Sequence, residues 1–250
     1  MTGMNGFRTT ALALAMAAAM VAPAAAAPVL RAGDSYYLSA ISFPNGSGGA
    51  IVTTSAISGF AGGGWTRLTI NPGTAFDPAS SFEIDAFCID PPVSVRPGPY
   101  TLGPLDNNGV GWERPSYAAL SSDQKGALGY LFDLSYRLLP EPAASTPARA
   151  QTSAALQMAV WTVLYPSASW AGSAPLLAEF NAIMASIPAA PSEARYPALM
   201  LSWRDATGGN VGQPWGLSAR LGPVDTPTPP TAVLLLLGVG GLAAWRRARA

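Results

Sequence analysis

The stretch Ala154-Ala-Leu-Gln-Met-Ala-Val-Trp-Thr-Val-Leu-Tyr165 decides how this chain is read. It is apolar on every side, the pattern of a helix sunk in a core rather than laid on a surface. Gln157 breaks the pattern. A carboxamide buried without partners costs about 1–3 kcal/mol, so something must satisfy it or react with it. The reactive group available is the single thiol, Cys88, in Asp85-Ala-Phe-Cys-Ile-Asp90, a short apolar run ended by Pro91-Pro92. The expectation is that the two meet: the Cys88 sulfur displaces the amide nitrogen of Gln157, ammonia leaves, and an internal thioester remains. The other reading makes Cys88 a small buried hydrophobe and Gln157 a carboxamide hydrogen-bonded inside the core.

Outward from this helix the chain is mixed. Before it, short β-rich runs alternate with glycine clusters: Tyr36–Phe43, Ala50–Thr54, Trp65–Ile70 and Phe82–Ile89, separated by turn chemistry such as Asn45-Gly-Ser-Gly-Gly49 and Asn71-Pro-Gly73. Cys88 falls on the last of these strands, and alternation turns Phe87 and Ile89 to the face opposite it. Residues 91–115, rich in Pro and Gly, read as a loop or one short hairpin around Asp106-Asn-Asn-Gly109. Ser121-Ser122-Asp123 is a helix-capping cluster ahead of Leu128, Leu131, Ser135 and Leu138 at helical spacing. The Gln157 helix is expected from Thr152 or Ser153 to Pro166. A further helix, capped by Ser173 with Pro175 in its first turn, carries the stripe Leu176, Leu177, Phe180, Ile183, Met184, Ile187. Ala198–Trp203 and Trp215–Leu221 read as closing strands around the turn Asp205-Ala-Thr-Gly-Gly-Asn210. The fold class is therefore α+β: an antiparallel β-barrel or sandwich with a helical section of about three helices.

Both ends read as addresses. Residues 1–26 carry one positive charge (Arg8), an apolar stretch and a run of small residues, a secretory signal peptide. Residues 27–221 form the globular domain, and 222–250 a Pro-rich hinge, a short hydrophobic helix and an Arg-rich tail. Fifteen uncharged residues, Thr231–Trp245, span about 22 Å as a helix, short of the roughly 30 Å hydrocarbon core and so a marginal anchor. The arginines that follow favour the cytoplasmic side of the inner membrane.

Composition closes off several classes. The net charge is zero and 11% of residues are charged, which removes the footprint of a nucleic-acid binder. There is no histidine, so Ser-His-Asp and Cys-His catalysis and His-bearing zinc sites are excluded. No phosphate loop or metal-ligand cluster is present, and the chain reads as no enzyme, with no cofactor and no metal. One cysteine cannot make an internal disulfide. Lys125 is the sole lysine against thirteen arginines, a bias that a GC-rich genome explains and that also suits a chain whose electrophile must not be captured by its own amines. Asp85 and Asp90 flank the cysteine strand, either to assist proton transfer or as solvated strand ends. Trp112 and Trp215 read as surface aromatics able to stack on sugars.

Two motifs, aromatic-Cys-aliphatic at Phe87-Cys88-Ile89 and aliphatic-Gln-x-Ala-aliphatic-Trp at Leu156-Gln157-Met158-Ala159-Val160-Trp161, resemble the thioester domains of bacterial surface adhesins. That resemblance implies a mixed β-barrel with a helical portion and a Cys88–Gln157 thioester open to attack by amines on a target. Trp161, one turn after Gln157, is placed either to shield the bond or simply to pack in the core. The tail resembles the PEP-CTERM sorting signal: Thr226-Pro227-Thr-Pro229-Pro230 stands for the proline-rich motif, followed by the hydrophobic helix and Arg246, Arg247 and Arg249. Pro-Glu-Pro itself is replaced. This second resemblance implies handling by an exosortase-like processing enzyme in a Gram-negative bacterium, then transfer to the cell surface or matrix. The function expected is an adhesin-like protein that couples to an amine- or hydroxyl-bearing surface or matrix polymer. The alternative is a non-reactive matrix or exopolysaccharide-associated protein of the same fold.

Overall fold

The computed structural model describes residues 30–53, 58–89, 94–105, 120–140, 144–204 and 210–219. The expected signal peptide, the turn at 106–109, Trp112, Asp90 and the whole C-terminal tail, with Pro227, Pro229, Pro230, Arg246, Arg247 and Arg249, lie outside them. Among the described residues no helix is long and apolar enough to cross a membrane.

The architecture is α+β. Nine strands are described: β1 Ser35–Ser42, β2 Gly48–Thr53, β3 Ser58–Gly63, β4 Thr66–Pro72, β5 Phe82–Cys88, β6 Gly98–Pro104, β7 Ser169–Ala171, β8 Ala198–Arg204 and β9 Asn210–Ser218. Six of them pair antiparallel in the order β1-β4-β5-β9-β8-β6, and β6 returns to β1, so the sheet closes as a barrel without a free edge. The remaining three form a small sheet in the order β3-β2-β7. Barrel strands carry the period-2 signature their pleat demands: in β1, Tyr36 and Leu38 are buried between less buried neighbours, and in β4 Leu68 and Ile70 are fully buried.

Three helices follow β6: α1 Ser122–Leu138, α2 Pro147–Leu164 and α3 Ala174–Ser186. Ser121 and Gln124 cap α1 reciprocally, each side chain meeting the other's backbone N–H. α2 starts earlier than Thr152 because Thr146 caps it and Pro147 occupies the first turn, where a missing N–H costs nothing. It ends at Tyr165, ahead of Pro166, as the proline requires. Every residue from Ser153 to Trp161 is buried, which accounts for the lack of a polar face. In α3, Leu176 and Ile183 are buried, and Leu177, Phe180, Met184 and Ile187 pack against the core from its edge.

Four strands differ from the sequence expectation. β3 and β7 are glycine-rich or very short, and β6 begins at Gly98-Pro99 in the segment expected to be loop or hairpin. Proline sits at the second and last residues of β6, while Tyr100 and Leu102 supply the buried positions. β9 starts at Asn210 rather than Trp215, a difference that matters for the site below.

Candidate functional site

Cys88 is the last residue of β5, where that strand outruns one neighbour and keeps the other. On the β4 side the register ends at Thr66 opposite Ala86. On the β9 side Phe87 faces Gly216, Cys88 faces Trp215, and the Ile89 N–H donates to the Pro214 carbonyl at 3.1 Å. Cys88–Trp215 is thus the non-hydrogen-bonded pair of this ladder, and the Cys88 N–H and C=O turn away from β9. With β4 already ended, no strand meets them. Two buried backbone groups need partners from elsewhere.

Helix α2 supplies them. Gln157 Oε1 accepts from the Cys88 N–H at 3.1 Å, and Gln157 Nε2 donates to the Cys88 carbonyl at 2.8 Å. Trp161 Nε1 donates to the same carbonyl at 2.9 Å. One turn earlier on the same helix face, Ser153 Oγ accepts from the Trp65 N–H at 2.7 Å, just before β4 begins. Residues 153, 157 and 161 recur at i, i+4 and i+8, so one stripe of a buried helix replaces the strand missing beyond β4. Gly63 and Gly64 permit the approach: a Cβ on Gly63 would press on the Gln157 side chain at 3.2 Å, and one on Gly64 would strike Ser153 Oγ.

The structure therefore brings Cys88 and Gln157 together, as expected, but through the cysteine's backbone. Both polar atoms of Gln157 are committed there, and its 1% exposure is accounted for by hydrogen bonds. The sulfur meets a different carboxamide. Gln213 lies on β9 two residues before Trp215, so alternation sets its side chain on the face that Cys88 and Trp215 share, as the diagonal cross-strand neighbour. Its Nε2 donates to Cys88 Sγ. Gln213 is held from behind by its own N–H, which donates to the Ser94 carbonyl at 3.2 Å. Cys88, Gln213 and Trp215 are 8%, 5% and 2% exposed, so the sulfur and carboxamide meet where little water reaches.

The other sequence candidates fall around this centre. Trp161, expected as a shield, is hydrogen-bonded to Cys88 and stacks on Trp170 with ring centroids 6.0 Å apart and planes 9° from parallel. Phe87 lies on the opposite face, stacked on Phe132 of α1 at 5.5 Å. Asp85 shares that opposite face by alternation and is bound to Arg67, with Nε to Oδ1 at 3.0 Å, so it is a half-buried ion pair rather than a proton carrier at the sulfur. Trp215, read as a surface aromatic, is buried as the cross-strand partner of Cys88. Gln213 went unseen because Val211-Gly-Gln-Pro-Trp215 reads as turn; the available signal was a carboxamide two residues from an aromatic, a strand period.

Chemically the arrangement offers a nucleophile and an acyl group in contact, and a second carboxamide that fixes the nucleophile's backbone. Compared with protein-family models, curated proteins and solved structures, the chain matches none of them.

Proposed function

We propose that this chain is an exported, surface- or matrix-associated adhesin-like protein that couples covalently to a partner through an internal thioester between Cys88 and Gln213. The observation that carries the reading is the contact of the Gln213 carboxamide with Cys88 Sγ inside a nearly dry pocket. The thiol adds to the Gln213 Cδ, the C–N bond breaks, and the amide nitrogen leaves as ammonia with the thiol proton. Holding the groups in contact substitutes for catalysis, since oriented neighbours reach effective molarities of about 10⁵ M or more. The product is an acyl group on a thiolate leaving group of ordinary pKa about 8.5, guarded from hydrolysis by exclusion of water. A primary amine on the partner then attacks the same carbon, an amide forms, and Cys88 recovers its thiol. Gln157 and Trp161 act on the cysteine's backbone and fix where the sulfur stands. The sequence supplies the rest of the reading: the leader at 1–26 for export, and the tail at 222–250, with Pro227, Pro229, Pro230 and Arg246, Arg247, Arg249, for an inner-membrane tether and an exosortase-like enzyme.

Intact mass tests the bond. The wild type is expected to be lighter than its sequence by one ammonia, and Cys88→Ala and Gln213→Ala are each expected to lose that deficit. Methylamine adds its whole mass to the thioester form and leaves an N-methyl carboxamide, one methylene heavier than the sequence, which tandem mass spectrometry should assign to Gln213. A mark on Gln157 would reverse the assignment of acyl donor. A full-mass wild type that takes up no amine would leave a non-reactive binding protein.

A further inference from the structure

The acyl site proposed above has a neighbour on β8. Strand alternation turns Leu201 and Trp203 to the inside of the barrel, where Leu201 pairs with Trp215 and Trp203 pairs with Gly212, the residue before Gln213. Between those two pairs β8 runs from 201 to 203 while β9 runs from 215 to 212, one residue more, and this bulge lets Gly212 and Gln213 both face inwards. The Trp203 indole is wedged in place. Gly98 and Gly212 flank it with bare backbone: a Cβ on Gly98 would collide with its benzo ring, and one on Gly212 would stand 3.1 Å from its Cε3. Tyr100 packs on it edge-first at 5.9 Å and 60°, and is itself held by its hydroxyl, which donates to the Arg96 carbonyl at 3.0 Å. Gly98, Tyr100, Gly212, Gln213 and Cys88 are buried whereas Trp203 is half-buried, so within this group the indole is the part that meets solvent.

We propose that Trp203 is the specificity-determining residue of the Cys88–Gln213 site: its indole keeps water from the acyl carbon and favours a primary amine on an unbranched alkyl arm over water and over branched amines. This assignment rests on the thioester and narrows its amine- or hydroxyl-bearing partner to one class. An activated acyl group survives only where water is excluded, and a large, rigid, apolar ring beside Gln213 excludes it. An alkyl arm can lie along that ring, and apolar and cation–π contact then offsets the desolvation of its amine. Water or a sugar hydroxyl passing the same ring gives up hydrogen bonds for contact with carbon. Because the indole is seated on backbone at two glycines, it yields little to a branch beside the nucleophilic nitrogen. In the transfer the neutral amine adds to Gln213 Cδ, the C–S bond breaks, and the proton shed by the nitrogen goes to the departing Cys88 sulfur.

Intact mass of the full chain follows three rates: hydrolysis, which leaves a carboxylic acid at position 213, and the coupling of n-butylamine and of tert-butylamine, two amines of similar basicity. The wild type is expected to hydrolyse slowly and to couple n-butylamine well ahead of tert-butylamine. Trp203→Leu is expected to speed hydrolysis and to shrink the ratio of the two coupling rates, each by about tenfold or more, the scale on which an apolar pocket wall discriminates. Trp203→Phe keeps an aromatic wall and should fall between the two, and it serves alone should Trp203→Leu misfold. Retention of the ammonia deficit shows that a variant has assembled its site. Variants that carry the deficit yet keep the wild-type hydrolysis rate and amine ratio would overturn the role of Trp203 and leave the thioester standing. A wild type of full mass that takes up no amine would instead remove the thioester, and this assignment with it.

Discussion

At the residue scale the chain uses two glutamines for two tasks, and the tasks are separable by mutation. Gln157 satisfies a buried N–H and a buried C=O of Cys88, whereas Gln213 offers its carboxamide to the sulfur. In a Cys88→Ala background, where no bond can form, Gln157→Leu is expected to cost about 1–3 kcal/mol because it strands the buried N–H of residue 88, while the C=O keeps its bond from Trp161. Gln213→Leu in the same background keeps the backbone bond to Ser94 and should cost less; urea titration compares the two. The sequence announced Cys88 as the single thiol and Gln157 as a polar residue on a helix with no polar face. It was silent on Gln213, since a carboxamide between Gly212 and Pro214 carries every mark of a turn. Its meaning comes from β5, a strand more than a hundred residues earlier in the chain. A contact that depends on long-range register leaves no local trace.

At the element scale the decisive feature is the substitution of a helix stripe for the end of a strand. β4 ends before Cys88, and α2 takes its place with Ser153, Gln157 and Trp161. Ser153→Ala leaves the buried Trp65 N–H without its acceptor and is expected to cost about 1–3 kcal/mol. Gly64→Ala pushes the helix off the strands, at about 1–3 kcal/mol by overpacking, and should also slow thioester formation, read as the time course of ammonia loss after refolding. The helices were legible because caps, prolines and periodicity are local: Ser121, Ser173 and Pro166 all act within a turn of where they stand, although α2 starts at Thr146-Pro147, about a turn and a half before the start expected at Thr152 or Ser153. β6 was not legible, because its two prolines and two glycines outvote Tyr100 and Leu102 in any local count. Closure of the sheet, with β1 hydrogen-bonded to β6 on one side and β4 on the other, supplies the pairing that overrides that composition.

At the scale of the whole molecule the core holds phenols that resist ionisation. Burial raises the Tyr100 pKa from 10.0 to about 12. Burial also raises that of Tyr136, helped by the nearby carboxylates of Asp85 and Asp133. A phenol with a raised pKa in the fold keeps its proton while the unfolded chain loses it, so its contribution is intact below pH 10 and is lost as pH climbs toward about 12. Stability is expected to fall across that window by about 1.4 kcal/mol per pH unit for each such tyrosine; Tyr100→Phe should flatten the slope in denaturant midpoints measured against pH. The position of Gln213 on β9, the last described strand, has a mechanical corollary. A partner coupled there as proposed would hang from the end of the barrel, so tension between it and a handle placed after β9 would follow the main chain downstream of residue 213. β1 through β8 lie off that covalent route. In a single-molecule pull the stretch released should be far shorter than when the same protein is drawn out from its two termini. On the proposed coupling, the barrel times the acyl transfer while the load bypasses most of it.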